Sequence, residues 1–147
     1  MIVVEYAITL FQPWSSLMAL GEKLIETRGR RTNYRGWIAI HAAKAAPYSA
    51  AWAYPFNGVL QQHGISDPHR LPRGAVVAVT RISDCLPIKE VLARTLSEQE
   101  LYFGNYGEGR YGYLTEGLRR VREPIPMRGW QTIPWKMQRA ITEADLI

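Results

Sequence analysis

Hydrophobic and polar positions alternate along several short segments of the chain, and this period of two predicts strands. The clearest strand candidate is Gly36–Ala42, a mostly apolar segment. Its residues divide between two faces, with Trp37, Ala39 and His41 on one and Ile38, Ile40 and Ala42 on the other. Further strands are predicted at Tyr6–Leu10, Lys23–Arg28, Ala75–Ile82 and Tyr111–Val121. A sheet of short strands is therefore expected to form the body of the protein.

Helical patterns are few and brief. Pro13 opens a short helix that ends near Gly21, and Pro55 divides Tyr48–Gly64 into one or two short helices. A further helix begins at Ser97, and another is predicted at the C-terminus, after the segment Pro124–Trp135. Many short strands with few helices predict a mixed α+β fold, a small β-barrel with short flanking helices.

The length and composition predict one soluble domain over residues 1–147. The chain has 147 residues, of which 47% are hydrophobic and 21% charged, a typical globular profile. No apolar run approaches the roughly 20 residues needed to span a bilayer, and the N-terminus does not resemble a signal peptide. Cys85 is the only cysteine, so we expect a cytoplasmic protein in which Cys85 is a small core residue.

The net charge of +5 favours partners that carry phosphate. Arginines concentrate in two clusters, at positions 28–35 and 119–128. The alternative, that both clusters are simply solvated surfaces, remains open at this point.

The segment Gly21–Arg28 carries the strongest signal for a binding site. Lys23, Glu26 and Arg28 lie within six positions and beside apolar neighbours. Charges in such surroundings are usually solvated, paired or held ready for a ligand. The pattern indicates a site for a small polar or anionic molecule, and a strand edge with ordinary ion pairs is the alternative.

The ordered motifs of the chain resemble those of the ASCH domain family, which belongs to the PUA-like superfamily. The matching pieces, in chain order, are Phe11-Gln12-Pro13-Trp14, Gly21-x-Lys23-x-x-Glu26-x-Arg28, Tyr34-Arg35-Gly36, Ile40-His41-Ala42-x-Lys44, Pro72-Arg73-Gly74, Tyr111-Gly112-Tyr113 and Pro124-Ile125-Pro126. The resemblance covers most of the chain. It implies a PUA-like barrel with flanking helices and a cleft lined by the Lys23–Arg28 motif.

The resemblance also implies a function connected with RNA or modified nucleotides. Some small ASCH proteins are amidohydrolases that remove the acetyl group from N4-acetylcytidine, using the motif lysine, a threonine three residues later and a distant glutamate. Here Glu26 occupies the threonine position, and the adjacent Thr27 points to the opposite face of a strand. The amidohydrolase activity is therefore not expected in this chain.

The sequence leads to two main hypotheses. In the first, the protein binds RNA or a nucleotide. Basic contacts come from Lys23, Arg28, Arg35 and Lys44, while Gln12 and Glu26 read polar edges and the ring of Trp14 stacks on a base. In the second, it is a hydrolase of nucleosides or RNA, amidohydrolase- or ribonuclease-like, in which Lys23 and Glu26 are catalytic. A protein-interaction module is a third and weaker alternative, and whether there is turnover stays open.

Other residues receive structural interpretations. His41 is expected to be a half-buried histidine with satisfied hydrogen bonds, and Trp37 and Trp52 are expected in the core. His41, His63 and His69 show no zinc-type spacing with Cys85. We therefore expect no metal and no cofactor.

Overall fold

The computed structural model describes residues 1–147 and contains one sheet of six strands. The strands are β1 (Val3–Leu10), β2 (Ile25–Arg28), β3 (Gly36–Ala42), β4 (Ala75–Pro87), β5 (Tyr111–Pro126) and β6 (Trp135–Thr142). Their order across the sheet is β2-β5-β4-β3-β1-β6. Only β1 and β3 run parallel, and the other neighbours are antiparallel.

Four short α-helices flank the sheet. They are α1 (Trp14–Ala19), α2 (Phe56–Gln62), α3 (Ile88–Leu92) and α4 (Glu98–Phe103). The hydroxyl of Ser97 caps α4 by accepting a hydrogen bond from the Glu100 amide at 3.0 Å. None of these helices combines the length and the apolar composition that a bilayer span requires.

The alternation predicted for β3 places its side chains in two separate cores. Ile38, Ile40 and Ala42 join one cluster of buried residues, which also contains Cys85. Ala39, with Trp37 packed alongside, belongs to a second cluster. One strand therefore supplies apolar residues to both faces of the sheet.

The mixed α+β class is confirmed, but the closed barrel is not. β2 and β6 are edges, each with a hydrogen-bonded neighbour on one side only. The sheet nevertheless curves strongly, as one contact shows: Arg28 on the edge strand β2 donates from Nη2 to the Thr9 carbonyl of β1 at 2.7 Å. Three strands separate β2 from β1 in the sheet order. This curvature places the motif of β2 beside the end of β1.

The predicted C-terminal helix is wrong, since that part of the chain forms β6. Trp135, Met137 and Ile141 are buried in the second core, and β6 pairs with β1. The only helical element there is a 3₁₀ turn at Glu143–Asp145. This segment forms a strand because it is buried through pairing with β1, which is distant in the sequence. A local sequence pattern cannot indicate such pairing.

Two smaller predictions also need correction. β2 begins at Ile25, because the Lys23 amide still bonds to the Leu17 carbonyl of α1 at 3.1 Å and the Leu24 amide bonds to the Glu100 carboxylate at 2.9 Å. Trp52 is 44% exposed and outside the core. Its ring packs on that of His69, with 4.8 Å between their centres.

Candidate functional site

A pocket of about 390 Å³ lies where β1, β2, α1 and the end of α4 meet. Its polar wall includes Glu26, Thr27 and Arg28 of β2, and its aromatic wall includes Phe11, Trp14 and Tyr102. The sheet curvature described above is what brings these walls together. We call this space, which these six residues help to line, the base pocket, after the ligand group that we propose for it below.

Glu26 and Arg28 form a close ion pair on the wall of the base pocket. The Arg28 Nε donates to Glu26 Oε2 at 2.6 Å, while Nη2 donates to the Thr9 carbonyl. Both side chains are partly accessible, at 13% for Glu26 and 22% for Arg28. The guanidinium is thus fixed at two points, and its third nitrogen, Nη1, has no partner within the protein.

Lys23 lies behind this pair and does not line the base pocket. Its side chain is 1% exposed, and its ammonium donates to the carbonyl of Ile25 and lies 3.6 Å from Glu26 Oε1. The Glu26 carboxylate therefore lies between two cations, the buried ammonium of Lys23 and the guanidinium of Arg28 on the pocket wall. Because one carboxylate is shared by two cations, the cluster retains a net positive charge, which favours an anionic or electron-rich ligand.

Gln12 is not at the pocket wall, contrary to the prediction. Its side chain is completely buried, its Nε2 donates to Ser16 Oγ and to the Pro72 carbonyl at 2.7 Å, and its Oε1 accepts from the Ser16 amide. All its hydrogen-bonding groups are used inside the protein, so it braces the start of α1 and cannot read a ligand.

Aromatic rings continue outward from the base pocket. Trp14 packs edge-to-face against Tyr48, with 5.2 Å between ring centres, and Phe11 contacts the same tyrosine at 5.1 Å. Phe11, Tyr48 and Tyr102 are exposed. Rings with an accessible face are suited to stacking on nucleic-acid bases.

Arg110 is a pocket residue that the sequence interpretation missed. It donates from Nη2 to the Thr27 carbonyl and from Nε to the Asn105 carbonyl, both at 3.1 Å. The Asn105 amide in turn donates to Thr27 Oγ1 at 2.9 Å. The only signal for Arg110 in the sequence was its position directly after a glycine-rich loop at residues 104–109. The Thr27 hydroxyl therefore holds this loop in place through the hydrogen bond that it accepts from the Asn105 amide.

Arg35 and Lys44 lie outside the base pocket. Arg35 pairs with Asp84 at 3.3 Å and donates to the Thr32 and Tyr34 carbonyls, so it stabilises the loop before β3. Lys44 lines a second pocket, which shares Thr9 and Gln131 with the first. The structure therefore brings Glu26, Arg28 and Trp14 to one pocket, with Lys23 behind them.

His41 is fully buried and is held by hydrogen bonds on both ring nitrogens. Nδ1 lies 3.1 Å from Thr9 Oγ1, and Nε2 lies 2.7 Å from the Met127 carbonyl. Since a carbonyl only accepts, Nε2 carries the proton. The indole of Trp135 donates to Thr9 Oγ1 at 3.0 Å, which leaves the hydroxyl proton for Nδ1. Burial lowers the pKa of His41, so the neutral ring is favoured.

The structure contains no group of three or more His, Cys, Asp or Glu side chains placed to hold a metal ion. The charged residues of the base pocket are one carboxylate and two guanidinium groups. Such a donor set suits hydrogen bonding to a polar organic ligand.

Comparison with known proteins gives a family. The model of the ASCH domain matches residues 8–122, which is more than half of the chain. The chain belongs to the ASCH domain family. Residues 8–122 of this ASCH chain contain all the described pocket residues except Gln131 and those at positions 127–129.

Two curated relatives of this ASCH chain are the proteins called activating signal cointegrator 1. The human protein is 25% identical and the mouse protein 23% identical, each over 138 residues. These matches cover 92% of this chain and 23% of each relative. The chain therefore spans about a quarter of the length of the curated relatives it matches.

Two solved structures have a similar fold. They are the ASCH protein of Zymomonas mobilis and a single-residue mutant of it, each with a TM-score of 0.50 and 18% identity. The alignments cover 83% of this chain, 73% of the protein and 75% of the mutant. At this identity the likeness shows the fold alone.

Proposed function

We propose that this chain, acting as one domain, binds RNA or a nucleotide, including a modified one, with a base in the base pocket. The observation that carries the proposal is the Glu26–Arg28 pair, fixed at 2.6 Å on a wall that faces aromatic rings. Membership of a family generally associated with RNA binding supports it.

The pocket matches the chemistry of a base. Its volume of about 390 Å³ lies in the range of small-molecule sites. Arg28 Nη1 supplies a donor, the free lone pairs of Glu26 accept from an exocyclic amine, and Trp14 or Phe11 provides a stacking surface. Bases present these edges when they are unpaired, so a single-stranded RNA or a free nucleotide fits better than a duplex.

The geometry does not favour the hydrolase alternative. A general base or nucleophile must reach the substrate, whereas Lys23 is 1% exposed and already contacts the Ile25 carbonyl and Glu26. In the proposed binding function, Lys23 has a positioning role. It holds the Glu26 carboxylate from behind and thereby orients Arg28.

The experiment is a binding titration of short single-stranded RNAs of mixed sequence, followed by fluorescence anisotropy. Arg28→Gln should weaken binding roughly tenfold or more, as expected for the loss of a charge-assisted contact. Arg81→Gln is the matched control, because Arg81 also pairs with a glutamate, Glu116 at 3.2 Å, and lines neither pocket. Equal losses in the two variants would mean that net charge alone, and not the base pocket, determines binding.

A further inference from the structure

The second pocket lies directly beside the base pocket and is larger, at about 630 Å³. The two share Thr9 and Gln131 as a common wall. The second pocket is lined by three cations, Lys44, Arg73 and Arg128, and its lining contains no aspartate or glutamate. We call it the basic pocket, defined by these three cations.

The three cations come from separate segments that backbone hydrogen bonds tie together. The Gly74 amide donates to the Ala42 carbonyl at 2.8 Å, and the Met127 amide donates to the Gly74 carbonyl at 3.0 Å. These bonds fix the chain next to each of the three cations. The ring of His41 donates to the Met127 carbonyl from below. The backbone positions from which the three side chains extend are therefore set by the fold.

None of the three cations has an acidic partner. The carboxylates that pair with Arg28, Arg35, Arg81, Arg119 and Arg139 are all elsewhere. Arg128 instead lies over the ring of Trp130, 4.4 Å from its centre. Like charges that converge without a counter-charge repel one another, and this repulsion is relieved when an anion binds among them.

The basic pocket is closed on the side of Gly129. A Cβ atom at Gly129 would fall 2.8 Å from Thr9 Oγ1 and closer still to the His41 ring. The backbone at Gly129 therefore packs tightly on His41 and forms a closed floor.

We propose that the basic pocket binds the phosphate of the nucleotide whose base occupies the base pocket. This inference rests on the proposed function, and it specifies the ligand as a phosphorylated nucleotide or an RNA strand, with free nucleosides bound more weakly. Guanidinium and ammonium groups both suit phosphate oxygens. The shared wall at Thr9 and Gln131 makes a single ligand across both pockets the natural occupant.

The test compares four nucleosides with their 5′- and 3′-monophosphates by calorimetry, with inorganic phosphate as a further probe. The variant is Lys44→Gln with Arg73→Gln, both exposed positions. The control is Lys89→Gln with Arg94→Gln, which removes the same charge from two exposed residues outside both pockets. Thermal unfolding of each variant verifies the fold.

For the unmodified protein, a monophosphate should bind roughly tenfold or more tightly than its nucleoside. The pocket variant should remove this difference, chiefly by weakening the binding of the monophosphates, while the control keeps it. A nucleoside that binds as tightly as its monophosphates would overturn this inference and leave the proposed function standing. A nuclear magnetic resonance titration with inorganic phosphate follows the amides of Gly74 and Gly129. If these resonances shift but no nucleoside or nucleotide binds, then base binding in the base pocket is contradicted, and the assignment of the ligand as a nucleotide is contradicted with it.

Discussion

At the scale of single residues, Glu26 links the buried interior to the base pocket. It lies 3.6 Å from the Lys23 ammonium on one side and accepts from Arg28 at 2.6 Å on the other. Lys23 is buried, so its charge requires this carboxylate and the Ile25 carbonyl. The three motif residues therefore have two roles. Lys23 supports the ion pair from the buried side, and Glu26 and Arg28 line the base pocket.

Replacing Lys23 with methionine tests this division. Lys23→Met removes the buried cation but keeps the length of the side chain, and it leaves the Ile25 carbonyl with one donor fewer. We expect the free energy of unfolding to fall by about 1–3 kcal/mol, with RNA affinity reduced less than by Arg28→Gln. Lys136→Met, at an exposed position, is the control for chemical denaturation. Loss of RNA binding with unchanged stability would show that Lys23 contacts the ligand directly.

His41 should make stability depend on pH. The ordinary pKa of histidine is 6.5, and burial lowers the pKa of His41 in the folded protein. Just below pH 6.5, the unfolded chain therefore takes up a proton that the folded protein does not. The free energy of unfolding should therefore fall as the pH decreases from 6.5 towards the lowered pKa. His41→Gln should flatten this part of the denaturation profile, whereas His69→Gln, at an exposed position, should not. Identical profiles for both variants would refute the assignment.

Deacetylation of N4-acetylcytidine should be absent or very slow in this protein. Acyl transfer needs a nucleophile or an activated water, and Glu26 stands where the related amidohydrolases have threonine. The measurement follows cytidine release by the unmodified protein and by Glu26→Thr. Rapid turnover by the unmodified protein would contradict the binding function. Activity only in Glu26→Thr would show that the nucleophile alone is missing.

At the scale of helices and strands, the sequence predicted the elements whose signal lies within one short segment of the chain. The alternation of β3, the division of Tyr48–Gly64 at Pro55 and the cap at Ser97 are all present in the structure. β6 was missed because Trp135, Met137 and Ile141 are buried only through pairing with β1, at the other end of the chain. The burial of Gln12 likewise depends on the distant Pro72 carbonyl.

The segment after β5 offers a test at this scale. Gly129→Ala should destabilise the protein by about 1–3 kcal/mol through overpacking, because its Cβ would meet the ring of His41 and the backbone leaves little room to move. Gly58→Ala in α2 is the matched control, since nothing lies within 4 Å of its Cβ. Alanine also favours helix by about 0.5–1 kcal/mol, so this control should be stabilised. Chemical denaturation measures both variants, and equal stabilities would contradict the close packing at Gly129.

At the scale of the whole molecule, sheet curvature creates the site. Arg28 on one edge strand reaches the Thr9 carbonyl of β1, and the shared wall at Thr9 and Gln131 joins the base pocket to the basic pocket. The sequence indicated Glu26, Arg28 and Trp14 through their motif. It could not indicate Arg110 or the second pocket, because both depend on how distant segments meet in the curved sheet.

The most direct measurement is chemical-shift mapping by nuclear magnetic resonance, with a short single-stranded RNA added to isotopically labelled protein. Binding in the base pocket should shift the resonances of the Arg28 Nε, the Trp14 indole and the amides of Gly104 and Asn105, which surround this pocket. The resonances of Arg81 and Arg139, whose side chains pair with acidic partners away from both pockets, should stay unchanged. Shifts confined to the basic surface at 119–122, with none at Trp14 or Arg28, would contradict binding in the base pocket.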